Sequence, residues 1–257
     1  MMDNKEHLFK AQISENQKNF DKKKELIDLF RLHKEISEKA FESINIAENN
    51  DLLMLSNKYK GVNQQLKSRN KTYEQLHNEK VFVDIYSAFE KFLYDHLHTL
   101  YSLFPKICFV EDRLSVRFMD IFLSDSLENS QEYIIQETIK GIIQSNTIDK
   151  AIGTILDKIQ IAKNKQDILS NDNRKLLLKF SKIRNLIIHN ESLMNKIVLE
   201  ELKKLDIQHN FIEYQSVSED LDDYISQIQV LFESISKKIT NTLLDKTSQL
   251  VNYDKSK

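Results

Sequence analysis

Apolar residues recur along this chain at intervals of three and four, the period of a helix with one buried side. Leu29, His33, Ile36, Ala40, Ile44 and Ala47 mark a first stripe, and Leu55, Tyr59, Val62, Leu66, Tyr73 and Leu76 a second. Asn49, Asn50 and Asp51 supply the turn between them, so residues 1–78 are expected to form a helical hairpin. The second stripe alternates four- and three-residue steps, with Arg69 replacing one apolar residue, and reads as a coiled-coil seam. Such a seam requires a partner helix, which can be the first helix, another part of the chain or a second copy. Phe82, Ile85, Phe89, Phe92, Leu93, His96, Leu100 and Tyr101 predict a broad-faced third helix over about 79–103, stopped by Pro105.

The period is lost over 105–130, where only Ile107–Val110 has extended character, and returns in helices expected at about 131–144 and 147–166. The loop Ser170–Asn173 opens another at about 173–189, with Leu176, Phe180, Ile183 and Ile187 as its buried stripe. A last long helix is expected to begin at a capping box, Ser216 with Glu219, and to bury Leu221, Ile225, Ile228, Phe232, Ile235, Ile239 and Leu243. The expected organisation is all-α: the hairpin 1–78, a helical domain 79–249 and a frayed polar tail 250–257.

Composition narrows the chemistry. Three Gly, one Pro and no Trp in 257 residues leave little material for hairpin turns or Gly-rich phosphate loops. The lone Cys108 cannot close an internal disulfide, and no run of 18 apolar residues occurs, so a reducing cytoplasm and no membrane span are expected. No phosphate loop, dinucleotide fingerprint, Ser-nucleophile elbow or zinc-protease motif is present. The net charge of −2 hides an asymmetry: 158–184 carries eight Lys/Arg against two acids, and 191–224 carries nine acids against three lysines.

At the junction of those segments stands KIRNLIIHNE, residues 182–191. Arg184 and His189 are separated by four residues, and a polar Asn185 follows the arginine. This R-x-x-x-x-H pattern resembles the motif of the HEPN superfamily of helical ribonucleases. VDIYSAFEKFLYDHLHTLYSLFP at 83–105 is similar to that superfamily's Glu-bearing early helix, and VSEDLDDYISQIQVLFESISKKI at 217–239 to its closing helix. The resemblance covers roughly residues 80–245 and is closest to the families of abortive-infection and toxin–antitoxin loci. It leaves the hairpin outside, and its 105–175 stretch is longer than a minimal unit needs. The resemblance implies a HEPN-like helical bundle and an RNA-cleaving site at a two-fold dimer interface. Its implied catalytic residues are Arg184 and His189, with Asn185, Asn190 and Glu90 in support and an antitoxin or sensor protein as a further partner.

The chemistry agrees with that implication on its own terms. RNA carries its own nucleophile, the 2′-OH, so cleavage needs a proton acceptor, a proton donor and a cation for the transition state, with no metal or other cofactor. Histidine titrates near neutrality, whereas arginine stays charged and presents several donors to phosphate. Lys175, Lys179 and Lys182 precede the motif on the same expected helix and suit an RNA backbone. Five residues along a straight helix turn about 140°, so Arg184 and His189 form no tight pair within one helix. Either the helix ends near His189, at Asn190, or another copy completes the site. Beside this stand two alternatives: an inactive HEPN-like module that binds RNA or a partner, and a coiled-coil adaptor whose active surface is the hairpin.

Overall fold

The computed structural model describes residues 2–44, 50–67, 72–105, 126–145, 148–158 and 168–256. It is all-α: eight helices are described, with one 3₁₀ turn and no strand among the described residues. They are α1 (Met2–Ile44), α2 (Asn50–Lys67), α3 (Tyr73–Leu103), α4 (Leu127–Ser145), α5 (Ile148–Lys158), α6 (Asn171–His189), α7 (Lys196–Lys204) and α8 (Leu221–Ser256). Asn49, Arg69, the Ile107–Val110 stretch with Cys108, and the expected helix beyond 158 lie outside the described residues. No described helix is long and apolar enough to cross a membrane.

The core is built where α1, α3 and α8 lie against one another. Phe9 meets Phe104 edge-on at 5.0 Å, Phe20 lies 5.2 Å from Phe92, and Phe89 stacks on Phe232 at 4.0 Å. All six rings are buried, each contributing about 2–3 kcal/mol through the apolar surface it removes from water. The front half of α1 is therefore part of the central core, and only its rear half joins α2 as a hairpin. At the other end, α8 continues helically through 250–256, with Leu250 and Val251 buried where a frayed tail is expected. Ser248, one turn earlier, donates to Glu6 of α1 at 2.9 Å, so the tail has a partner that its own polarity does not reveal.

Helix ends explain the remaining differences. Tyr73 and Leu76 belong to α3, which opens at a capping box: Gln75 N donates to Thr72 Oγ1 at 3.1 Å, and Thr72 N to Gln75 Oε1 at 2.8 Å. Ser216 caps the 3₁₀ turn Val217–Asp220 ahead of α8, while Glu219 accepts from Gln215 rather than closing a box. In α6 the fully buried positions are Leu177, Phe180, Ile183 and Leu186, so the helix is rotated slightly from the expected stripe and Leu176 and Ile187 are half-buried.

One polar cluster crosses the core. Asn16 donates to Thr99 at 3.1 Å, Thr240 donates to Gln17 at 2.8 Å, and His96, fully buried, donates from Nδ1 to the Phe92 carbonyl at 2.9 Å. Burial pushes the His96 ring down to about 4, against the opposing effect of that hydrogen bond. The unfolded chain, with an ordinary value of 6.5, then binds the extra proton first as pH falls. Stability from His96 is complete above 6.5 and is lost as pH falls to about 4, a change of roughly 3 kcal/mol. His77, also pushed down chiefly by burial, acts in the same direction. Urea unfolding of wild type and His96→Gln at pH 7.5, 5.5 and 4.5 isolates the His96 share. The gap between the two proteins should narrow by about 2–3 kcal/mol on acidification, and a pH-independent gap would contradict the assignment.

Candidate functional site

Ser170 starts α6 by accepting from Asn173 N at 3.2 Å, and the helix then carries the whole motif to its last residue, His189. Asn190 is the C-cap: its N–H donates to Leu186 O at 2.9 Å, and its side-chain amide donates to Leu193 O at 2.6 Å. Glu191 and Ser192 follow with φ of 51° and 66°, left-handed backbone that costs a non-glycine residue energy unless its surroundings fix it. The surroundings do fix it. Ser192 N reaches back to Leu186 O at 3.0 Å, Leu193 bridges to Ser216, and Met194 N donates to Gln215 O at 2.9 Å. Ser192 Oγ donates at 2.6 Å to the buried carboxylate of Glu79, which also accepts from Ser218. Glu79 thereby fastens the loop after the motif and the turn before α8 to the start of α3.

Arg184 faces α3. Its guanidinium lies 3.8 Å from Glu90 and 5.8 Å from the centre of the Tyr86 ring, and Nη1 donates to Asn185 at 3.2 Å. Its Nε is buried with no hydrogen-bond partner among the described residues. Burial pushes the Glu90 carboxyl up, while Arg184 pulls it back. Tyr86, buried and hydrogen-bonded to Ser181, has a phenol raised by burial and stays neutral. Three of the expected site residues, Arg184, Asn185 and Glu90, are thus brought together, and Tyr86 and Ser181 join them without having been marked in the sequence.

His189 is not part of that cluster. It is exposed at the helix end, about 140° around the axis and 7–8 Å along it from Arg184. Lys175, Lys182 and His189 follow one another at seven-residue steps and share a different side of the helix. Two of the three expected RNA-binding lysines on that side are already engaged. Lys175 donates to the Asp206 carbonyl at 2.9 Å and its carboxylate at 2.7 Å, and Lys182 pairs with Glu201 at 2.5 Å. Lys179 sits 4.5 Å over the Tyr224 ring and 5.5 Å over Phe211, and burial lowers its pKa. Lys175 and Lys182 of the basic segment are thus paired with Asp206 and Glu201 of the acidic one.

Around the motif's end four apolar side chains, Ile188, Leu193, Ile197 and Tyr214, are exposed, interleaved with the exposed His189, Glu191, Lys196 and Glu213. Tyr214 is held in place by its N–H to Met194 O at 2.8 Å. An open cleft of about 450 Å³ lies elsewhere, between α7 and the loop after it, lined by Leu199, Lys203, Ile207, His209 and Phe211 and by none of the motif residues.

Removing the Glu79 carboxylate leaves Ser192 and Ser218 buried without that acceptor. Glu79→Ala should cost about 2–4 kcal/mol and Glu79→Gln distinctly less, read by chemical denaturation. Equal and negligible costs would show that the clasp is dispensable. No family model, no curated protein and no solved structure matches this chain.

Proposed function

We propose that this chain is a metal-independent endoribonuclease of the HEPN type, acting as a growth-arrest or phage-defence effector. The observation that carries the reading is the arrangement at the end of α6. An exposed histidine ends a helix whose terminus is pinned by Asn190 and Glu79. Five residues earlier, an arginine is clamped against Glu90, Tyr86 and Asn185.

The two side chains diverge within one chain, so the site takes Arg184 from one copy and His189 from another. The exposed apolar side chains Ile188, Leu193, Ile197 and Tyr214 support contact with a second copy there. In the proposed reaction His189 accepts the proton of the RNA 2′-OH as that oxygen attacks the adjacent phosphorus. Arg184 stabilises the charge gathering on the phosphate oxygens, and the protonated His189 returns the proton to the departing 5′ oxygen as the P–O5′ bond breaks. The products are a 2′,3′-cyclic phosphate, or its opened form, and a 5′-hydroxyl end. Glu90 and Asn185 set the direction of the guanidinium.

A second reading is favoured by one observation. Lys175 and Lys182 already hold carboxylates, which suits a HEPN-like module that binds an antitoxin or sensor protein rather than RNA.

His189→Ala and Arg184→Ala should each reduce cleavage by about a hundredfold or more with the circular-dichroism spectrum unchanged. Cleavage should continue in EDTA and stop on a substrate carrying a 2′-deoxy sugar at the cut bond. Full activity of either variant, or abolition by EDTA, would overturn the proposal. A purified protein that binds an antitoxin but cuts no RNA would favour the second reading.

A further inference from the structure

The cleft beside α7 is left unused by the proposed chemistry. Leu199, Ile207 and Phe211 give it an apolar lining, and Lys203 and Gln208 add exposed polar groups. Its volume of about 450 Å³ lies within the range of small-molecule sites, about 300–1,000 Å³. His209 and Phe211 stand in it with ring centres 5.7 Å apart and planes only 16° from parallel. A further flat ring laid on them continues the stack. The His209 Nδ1 is buried with no hydrogen-bond partner among the described residues, so the ring is not already tied through that nitrogen. An apolar lining alone would suit an aliphatic side chain. Two near-parallel rings with lysines beside them suit a base joined to a phosphate.

The cleft is also connected to the motif. Lys182 meets Glu201 and Lys175 meets Asp206, so α7 runs back along α6, with its first turn toward His189 and the cleft farther along. Lys196 and Lys203 are seven residues apart, which places them on one side of α7 with Leu199 between them, about 10 Å from each other along the axis. Both are exposed, and unlike Lys175 and Lys182 neither holds a carboxylate among the described residues.

The geometry points to a nucleobase subsite: a base of single-stranded RNA stacks on His209 and Phe211 in this cleft, and the strand passes to His189 along Lys203 and Lys196. The inference rests on the RNA-cleaving reading for the identity of the ligand. It moves the backbone contacts from Lys175 and Lys182, which are engaged within the chain, to α7.

Equilibrium binding of a fluorescein-labelled twelve-nucleotide oligocytidine by the full-length His189→Ala protein, titrated with salt, is the test. In that background Phe211→Ala and His209→Ala should each weaken binding by about tenfold, with the slope of log affinity against log salt unchanged. Lys203→Ala, at an exposed position, should reduce the steepness of that slope by about 0.7, the share of one phosphate contact on a single strand. Phe211 also packs on Tyr224, so a second measurement locates the base without altering the fold: a 5-iodouridine probe should photocrosslink to His209 or Phe211. RNA binding indifferent to all three substitutions, or crosslinks confined to other residues, would overturn the subsite, and RNA cleavage by wild type would still uphold the ribonuclease reading. Cleft-dependent binding by a wild type that cuts no RNA would do the reverse, and a folded protein that binds no RNA would overturn both.

Discussion

A carboxylate buried at the first turns of α3 governs how the motif is presented. Glu79 accepts from Ser192 and Ser218, two hydroxyls that are distant in sequence and buried in the fold. A buried carboxylate is costly unless hydrogen bonds replace its lost water, and here the replacement also fixes geometry. The left-handed residues Glu191 and Ser192, the bridge from Leu193 to Ser216 and the end of α6 are positioned through it. His189 thus stands on a defined helix terminus even though its own ring is exposed.

The second constraint is the direction of side chains on a helix. His189 stands five positions after Arg184, and an unbroken α6 sends one toward α3 and the other toward the side carrying Lys175 and Lys182. The half-buried environment of Arg184 has consequences of its own. Glu90 is partly desolvated, Tyr86 is kept neutral under the guanidinium, and Nε lacks a partner among the described residues. The cation is held in place but not consumed by a tight ion pair, since the Glu90 contact is 3.8 Å. Such an arginine retains donors for a phosphate, the property that the proposed chemistry uses.

Much of the fold was legible in the sequence because helical burial repeats at a fixed interval. The stripes of α3 and α8 mark Phe82, Phe89, Phe92, Phe232 and Ile239, and these residues form the core. The interval is silent on what each stripe meets. Leu29 and Ile36 have the same spacing as core residues yet face solvent, whereas Leu250 and Val251, read as a polar tail, are buried against the bundle. Of the site, the motif and Glu90 were visible, but the cross-chain pairings were not. Charge totals by segment suggested a basic surface before the motif, and only the fold reveals that Lys175 and Lys182 meet Asp206 and Glu201. Glu79, Ser192 and Ser218 carry no local signal at all, since their meaning lies in contacts spanning 113 and 139 residues.

The central claim is that each active site draws Arg184 from one copy and His189 from the other. Mixing Arg184→Ala and His189→Ala proteins after joint unfolding and refolding tests it directly. Random pairing makes half the dimers mixed, each with one intact and one doubly altered site, so roughly a quarter of wild-type RNA cleavage should return. Cleavage by the mixture no greater than that of either inactive protein alone would contradict the account.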